Sequence, residues 1–194
     1  MARPIDLTPA TRRLADVAAR ISDDDLDSPT PDSPWTVGQL LAHVIYLSDA
    51  FRAAASKELG DATDAGPTRT PELVPEWQPT LDHALVRLAD AWRDPAAWEG
   101  DTRAGGLDMP GESAGIVALD EIVLHGWDLA VATGQEYTAA DDEIEALAVF
   151  VEEFDPAGSP GMFGPALDAD DDTSPFERLL ARAGRDPGWS PPGA

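Results

Sequence analysis

Cysteine is absent from the 194 residues. That excludes disulfides, thiolate nucleophiles and thiolate-ligated zinc, so any transition-metal site must use histidine and carboxylate. Histidine is scarce too: His43, His83 and His125 are the whole supply. Positive charge is thin and comes almost entirely from arginine, Lys57 being the single lysine. Against 13 Lys and Arg stand 37 Asp and Glu, a formal net charge of −24. Such a surface repels phosphate backbones and anionic bilayers, so neither nucleic acid nor membrane is an expected partner, and its plainest role is solubility. No apolar run is long enough to span a bilayer, and the opening MARPIDLTPATRR lacks the apolar core of a signal peptide. A soluble cytoplasmic protein is the expectation. Convincing strand patterns and internal repeats are lacking as well.

What remains is helical patterning, in a chain of a length that suits one domain with a sizeable core. Leu7-Thr8-Pro9 opens a first helix, Thr8–Ser22, with Thr8 as N-cap, Pro9 at the first helical position, and Leu14, Val17, Ala18 and Ile21 on one face. The acidic, Pro-rich SDDDLDSPTPDSP stops it. A second helix, Thr36–Lys57, starts at the capping box Thr36-Val-Gly-Gln39, with Trp35 and Leu40 as its hydrophobic staple. His43 falls on the flank of its apolar stripe, roughly 100° from the centre, and so can enter a seam between helices. Gly60–Pro79 reads as a long loop, able to return the chain along a helix length. A third helix, Pro79–Trp92, buries Leu81, Leu85, Leu88 and Trp92, and His83 lies opposite, beside Arg87 and Asp90, as a surface residue.

A second loop, Asp94–Gly111, leads to a fourth helix, Ser113–Thr133, which Gly134 is placed to stop. Ile116, Leu119, Ile122, Val123, Trp127, Ala130 and Val131 cover most of its circumference, which marks a buried helix. Yet Glu121, His125 and Asp128 recur at i, i+4 and i+7, in one strip roughly 60° wide. Glu121 and His125 can both ligate a divalent metal, although one helix supplies too few donors for a tight site. The plainer alternative is a strip that faces water. Trp35 and Trp127 read as packing residues rather than substrate platforms. A fifth helix, Thr138–Phe154, has Thr138 as its cap, and Ser174-Pro-Phe-Glu177 is a capping box that opens a short helix ended by Gly184. The acidic run Asp168–Asp172 lacks the spacing and glycine of an EF-hand loop, so calcium is not expected. RDPGWSPPGA reads as a tail. Several amphipathic helices with two long crossovers argue an all-α bundle, a fold that builds metal sites from facing helices.

Two segments together carry a family resemblance. DSPWTVGQLLAH places a Trp at a helix start and a His two turns on. Glu121-x-x-x-His125-Gly-Trp-Asp128-Leu-Ala closes with Ala-Thr-Gly134-Gln. This ordered pair resembles the DinB-like superfamily and, within it, the metal-binding domain of mycothiol-dependent maleylpyruvate isomerase. The segment from Met162-Phe-Gly-Pro to Leu179-Leu-Ala-Arg-Ala-Gly-Arg-Asp-Pro resembles a subgroup of small stand-alone members. The resemblance implies a four-helix bundle with a long crossover between its second and third helices. It also implies a divalent metal, most often zinc with nickel as the alternative, held by His43, Glu121 and His125. It implies mycothiol as cosubstrate. The isomerase has a separate C-terminal domain, whereas here residues 1–155 are expected to form the bundle and 156–194 an acidic extension with one short helix, packed on the same domain.

Three protein donors would leave the metal a position for substrate, the pattern of catalytic zinc. The expected function is therefore that of a metal-dependent transferase or isomerase joining a low-molecular-weight thiol to a small electrophile. With no cysteine in the chain, the thiol must come from outside. Asp128, one turn beyond His125, is the candidate to orient that histidine or to meet substrate. The alternatives are a non-catalytic metal-binding bundle serving as sensor or interaction module, and a metal-dependent hydrolase. A homodimer is left open.

Overall fold

The computed structural model describes residues 4–66, 72–170 and 172–191. Helix α1 spans Thr8–Ala18. Thr8 is its first residue rather than its cap, and the Thr8 amide donates instead to Asp6 Oδ1 at 2.9 Å. The helix stops short of Ser22 because Ser22 and Asp25 bond to each other. The Ser22 amide donates to Asp25 Oδ2 at 2.8 Å, opening a 3-10 turn over Asp23–Asp25 and diverting the backbone from the helical ladder. Helix α2, Val37–Ala55, begins at the expected capping box, whose two bonds are Gln39 N–H to Thr36 Oγ1 at 3.3 Å and Thr36 N–H to Gln39 Oε1 at 3.0 Å.

The stretch read as a long loop carries a single helical turn, α3, Asp61–Asp64. Part of that loop, residues 67–71, lies outside the described residues. Helix α4, Trp77–Trp92, starts two residues before Pro79, which sits in the first turn where a missing amide costs nothing. The next connection is not a plain loop either. It holds a 3-10 turn, Pro95–Trp98, and an antiparallel hairpin of β1, Asp101–Ala104, and β2, Leu107–Pro110. Four-residue strands are too short to show an alternating pattern. Arg103 and Asp108 face each other across the ladder at 2.7 Å.

Helix α5, Gly111–Ala132, is the central one. It ends in a turn in which Gly134, at φ 68°, donates to Val131 O and Gln135 to Ala130 O, the pairing that satisfies the last carbonyls of a helix. Helix α6, Asp141–Val151, is capped at Ala140 and not at Thr138, with the Glu143 carboxylate accepting the Ala140 amide at 2.9 Å. Helix α7, Pro175–Arg182, starts at Ser174 with the expected box.

α1 and α2 each pack on both α4 and α5, so these four helices enclose the core, with α6 against α5 and α7 against α6. Leu14, Leu40, Leu41, Leu85, Leu88, Leu119 and Ile122 are sealed inside it. Among the described residues, no helix is long and apolar enough to cross a membrane.

Candidate metal centre

The contact of α2 with α5 decides what the chain's few histidines can do, although about eighty residues of chain separate them. The capping box fixes where α2 begins, and His43 then lies two turns in, buried on the flank that faces α5. On α5 the helical period stacks Glu121 under His125, and His125 Nε2 stands 2.9 Å from Glu121 Oε2. The His43 and His125 rings meet edge to face, centroids 5.4 Å apart. One donor atom from each of His43, Glu121 and His125 falls within 4.8 Å of the others. His83 is exposed on α4, away from this cluster.

The strip does not face water. His125 and Asp128 are buried, and Asp128 has no exposed surface. The second ring nitrogen of His125, Nδ1, lies 3.1 Å from Asp128 Oδ2. That leaves Nε2 as the nitrogen turned toward Glu121. Asp128 Oδ2 also accepts from Arg185 Nη2 at 3.1 Å. Arg185 stands 3.8 Å from Asp32 Oδ2, and Asp32 Oδ2 is 3.9 Å from His125 Nδ1. Trp35 is half-buried and lies edge-on to His43, centroids 4.2 Å apart, and nearly parallel to His125 at 6.5 Å. It is thus a wall of the site and not only a packing residue, while Trp127 is buried in the core as expected.

These side chains open on a cavity of about 360 Å³. Its helical wall is His43, Asp120, Glu121, Leu124 and His125. Its other wall is irregular chain: Asp32, Ser33 and Trp35 before α2, Gly161–Gly164 from the extension, and Arg185 after α7. The segment read as a tail therefore reaches the site. Asp32, Asp120 and Arg185 are the residues that sequence reasoning missed. Asp120 had a usable signal, an acid buried within an otherwise apolar helix. Asp32 and Arg185 lie in the two segments that carry the family resemblance, DSPWTVGQLLAH and Leu179–Pro187, but both sit in irregular chain where no period shows which way a side chain turns.

The electrostatics follow from burial and pairing. Burial opposes charge on His125, but its bonds to Asp128 and Glu121 override that and push the ring up to about 10. Burial would raise Glu121, yet the His125 bond and charge carry it below its ordinary value. Asp128 is lowered likewise, against its burial, by the Arg185 charge and the His125 bond. Asp120, buried and beside the Glu121 carboxylate, is pushed up to about 8. Glu121 and Asp128 therefore form an anionic frame about one imidazole.

Fold and site together define a helical bundle that presents two imidazoles and a carboxylate at the seam of two helices. The match to known families narrows this. Residues 7–130 match the model of the mycothiol maleylpyruvate isomerase N-terminal domain, and the chain belongs to that family. The crystal structure of the mycothiol-dependent maleylpyruvate isomerase superposes with a TM-score of 0.57 at 20% identity, covering 74% of this chain. The chain spans 65% of that enzyme's length, and at this identity the likeness speaks to the fold. Uncharacterized proteins from two strains of Mycobacterium tuberculosis are 26% identical over 178 residues, covering 89% of this chain and 91% of theirs.

Proposed function

We propose that His43, Glu121 and His125 hold a divalent metal, zinc in the first instance, and that the protein uses it with mycothiol, or a thiol like it, in an isomerase- or transferase-type reaction on a small electrophile. The observation that carries this reading is the convergence of the three donors within 4.8 Å beside an open cavity. Two imidazoles and one carboxylate are a donor set of catalytic zinc. The fit extends outward: His125 Nδ1 meets the Asp128 carboxylate at 3.1 Å, the partner that fixes the tautomer and rotation of a ligating histidine. A divalent metal held by these three residues would supply Lewis acidity, the chemistry that lowers the pKa of a thiol and makes it a nucleophile near neutral pH.

The chain's own residues do the rest. Asp128 orients His125, Trp35 flanks both imidazoles, and Met162 and Phe163 give the cavity an apolar lining on the extension side. The absence of cysteine means that the thiol arrives with the substrate pair. Family membership and the fold of the solved isomerase support this chemistry over a plain sensor bundle, and the cavity beside the donors supports it further. We also propose that residues 156–194 belong to the same domain as the bundle 1–155, because Gly161–Gly164 and Arg185 line the bundle's cavity.

Metal-loaded and metal-stripped protein assayed with mycothiol against maleylpyruvate and a panel of small electrophiles tests the reading. Thiol-dependent turnover that vanishes with the metal is expected. Metal-dependent hydrolysis without any thiol requirement, or stoichiometric metal with no turnover of any electrophile, would overturn it.

A further inference from the structure

Arg185 lies far beyond residues 7–130, the stretch that matches the family model, in the Leu179–Pro187 segment that follows the bundle. It is nonetheless only 7% exposed, a rare state for an arginine unless it is paired. The backbone delivers it there by construction. After α7 the Gly184 amide donates to Ala181 O at 3.0 Å and the Arg185 amide to Leu180 O at 2.8 Å, with Gly184 at φ 79°. A Cβ on Gly184 would sit 2.8 Å from the Gly164 backbone, so the turn is pressed against the strip Gly161–Gly164 of the other wall. The next side chain then enters the cavity. Arg182, one turn earlier, leaves the other way, to Glu152 and the Phe154 carbonyl.

Inside, Arg185 Nη2 and His125 Nδ1 meet the same oxygen, Asp128 Oδ2, each at 3.1 Å. Asp128 Oδ1 is buried and has no hydrogen-bond partner among the described residues. The carboxylate is therefore held through Oδ2 alone. Without the guanidinium, Asp128 would be a fully buried anion whose one remaining side-chain partner is His125 itself, poorly compensated and less firmly held.

We infer that Arg185 is a positioning residue of the metal centre, fixing the Asp128 carboxylate and through it the His125 ring, so that the extension after α7 is part of the metal-binding apparatus. This rests on the metal-binding reading above. It goes beyond it by assigning a role to a residue outside the donor set and outside residues 7–130, which match the family model.

The test is Co(II) titration followed by the visible absorption of the bound ion, a readout of coordination geometry, with metal-free melting as the folding control. Wild type should bind one equivalent. Arg185→Met should bind roughly 10–100-fold more weakly, the usual effect of losing an outer partner of a ligand, with an altered spectrum. Arg185→Lys should recover most of the affinity, because Asp128 takes one N–H from Arg185 and not a paired fork. In an Asp128→Asn background, Arg185→Met should cost nothing further, since residues that act through each other are non-additive. Arg182→Ala should leave affinity unchanged. Should Arg185→Met fail to fold, Arg185→Gln, which keeps an N–H donor without the charge, takes its place. Wild-type affinity and spectrum in Arg185→Met, an Arg185→Lys protein as weak as Arg185→Met, or an equal loss in the Asp128→Asn background would each overturn the inference while leaving the metal site standing. A wild-type protein that binds no Co(II) would overturn the metal reading itself, and this inference with it.

Discussion

The two walls of the cavity are built by different means. One wall is helical: His43 from α2, with Asp120, Glu121, Leu124 and His125 from α5. Its side chains are placed by the period of the helix, and their spacing is a property of local sequence. The other wall is irregular: Asp32, Ser33 and Trp35 ahead of α2, Gly161–Gly164, and Arg185 after α7. Its side chains are placed by turns, glycine contacts and packing between segments remote in sequence. The helical wall holds the three donors of the proposed site, His43, Glu121 and His125, and the irregular wall holds the buried guanidinium together with Asp32, which belongs to a second carboxylate-histidine group. The lesson is that rigid periodic elements carry the groups whose geometry must be accurate, while loops close the site and adjust it.

The largest effect should come from breaking the helical wall. His43→Ala and His125→Ala should each abolish stoichiometric metal binding, because two remaining protein donors do not hold zinc tightly. His83→Ala, on the exposed face of α4, should bind as wild type. Metal content of the three purified variants checks this. Loss in His83→Ala together with retention in His43→Ala would reverse the assignment.

Removing the metal should come next. A ligand that binds only the native state at about 1,000 times its Kd adds about 4 kcal/mol of stability. For a chain of this size that corresponds to roughly 8–16 °C in melting temperature. Melting with and without chelator, on protein shown to be loaded, should reveal the shift, and coincident curves would count against a metal at this site.

The irregular wall should respond more gently. Gly184→Ala forces a Cβ into a positive-φ position already 2.8 Å from the Gly164 backbone. It should destabilise the protein by more than about 1 kcal/mol and weaken metal binding without abolishing it. Metal affinity untouched by a substitution that measurably destabilises the fold would separate the two walls completely.

Much of the helical wall is legible in the amino-acid sequence alone. The strip Glu121, His125, Asp128 follows from the helical period, and the capping box at Thr36 locates α2, so His43 can be placed on its flank. The exposed side of α4 sets His83 apart. What periodicity cannot give is which helices touch, and the α2–α5 contact depends on the whole bundle. The hairpin in 101–110 escapes because its strands are four residues long, shorter than any pattern they could show. Thr8 and Thr138 have the residue type of a cap without the role, because nearby carboxylates, Asp6 and Glu143, take amides at those helix starts instead. Arg185 is hidden for a different reason: its burial is set by Gly184 meeting Gly164, about twenty residues away.

One measurement reaches the central claim directly. Anomalous diffraction at the zinc edge from a metal-loaded crystal locates the ion without reference to activity. His125 presents a different nitrogen to each of two carboxylate groups, Glu121 on the Nε2 side and Asp128 with Asp32 on the Nδ1 side. The Nδ1 side already holds the Arg185 cation at 3.1 Å from Asp128, which disfavours a second positive charge there. A single peak is expected about 2.0–2.2 Å from donor atoms of His43, Glu121 and His125. A peak between Asp32, Asp128 and His125, or one that leaves His43 uncoordinated, would contradict it.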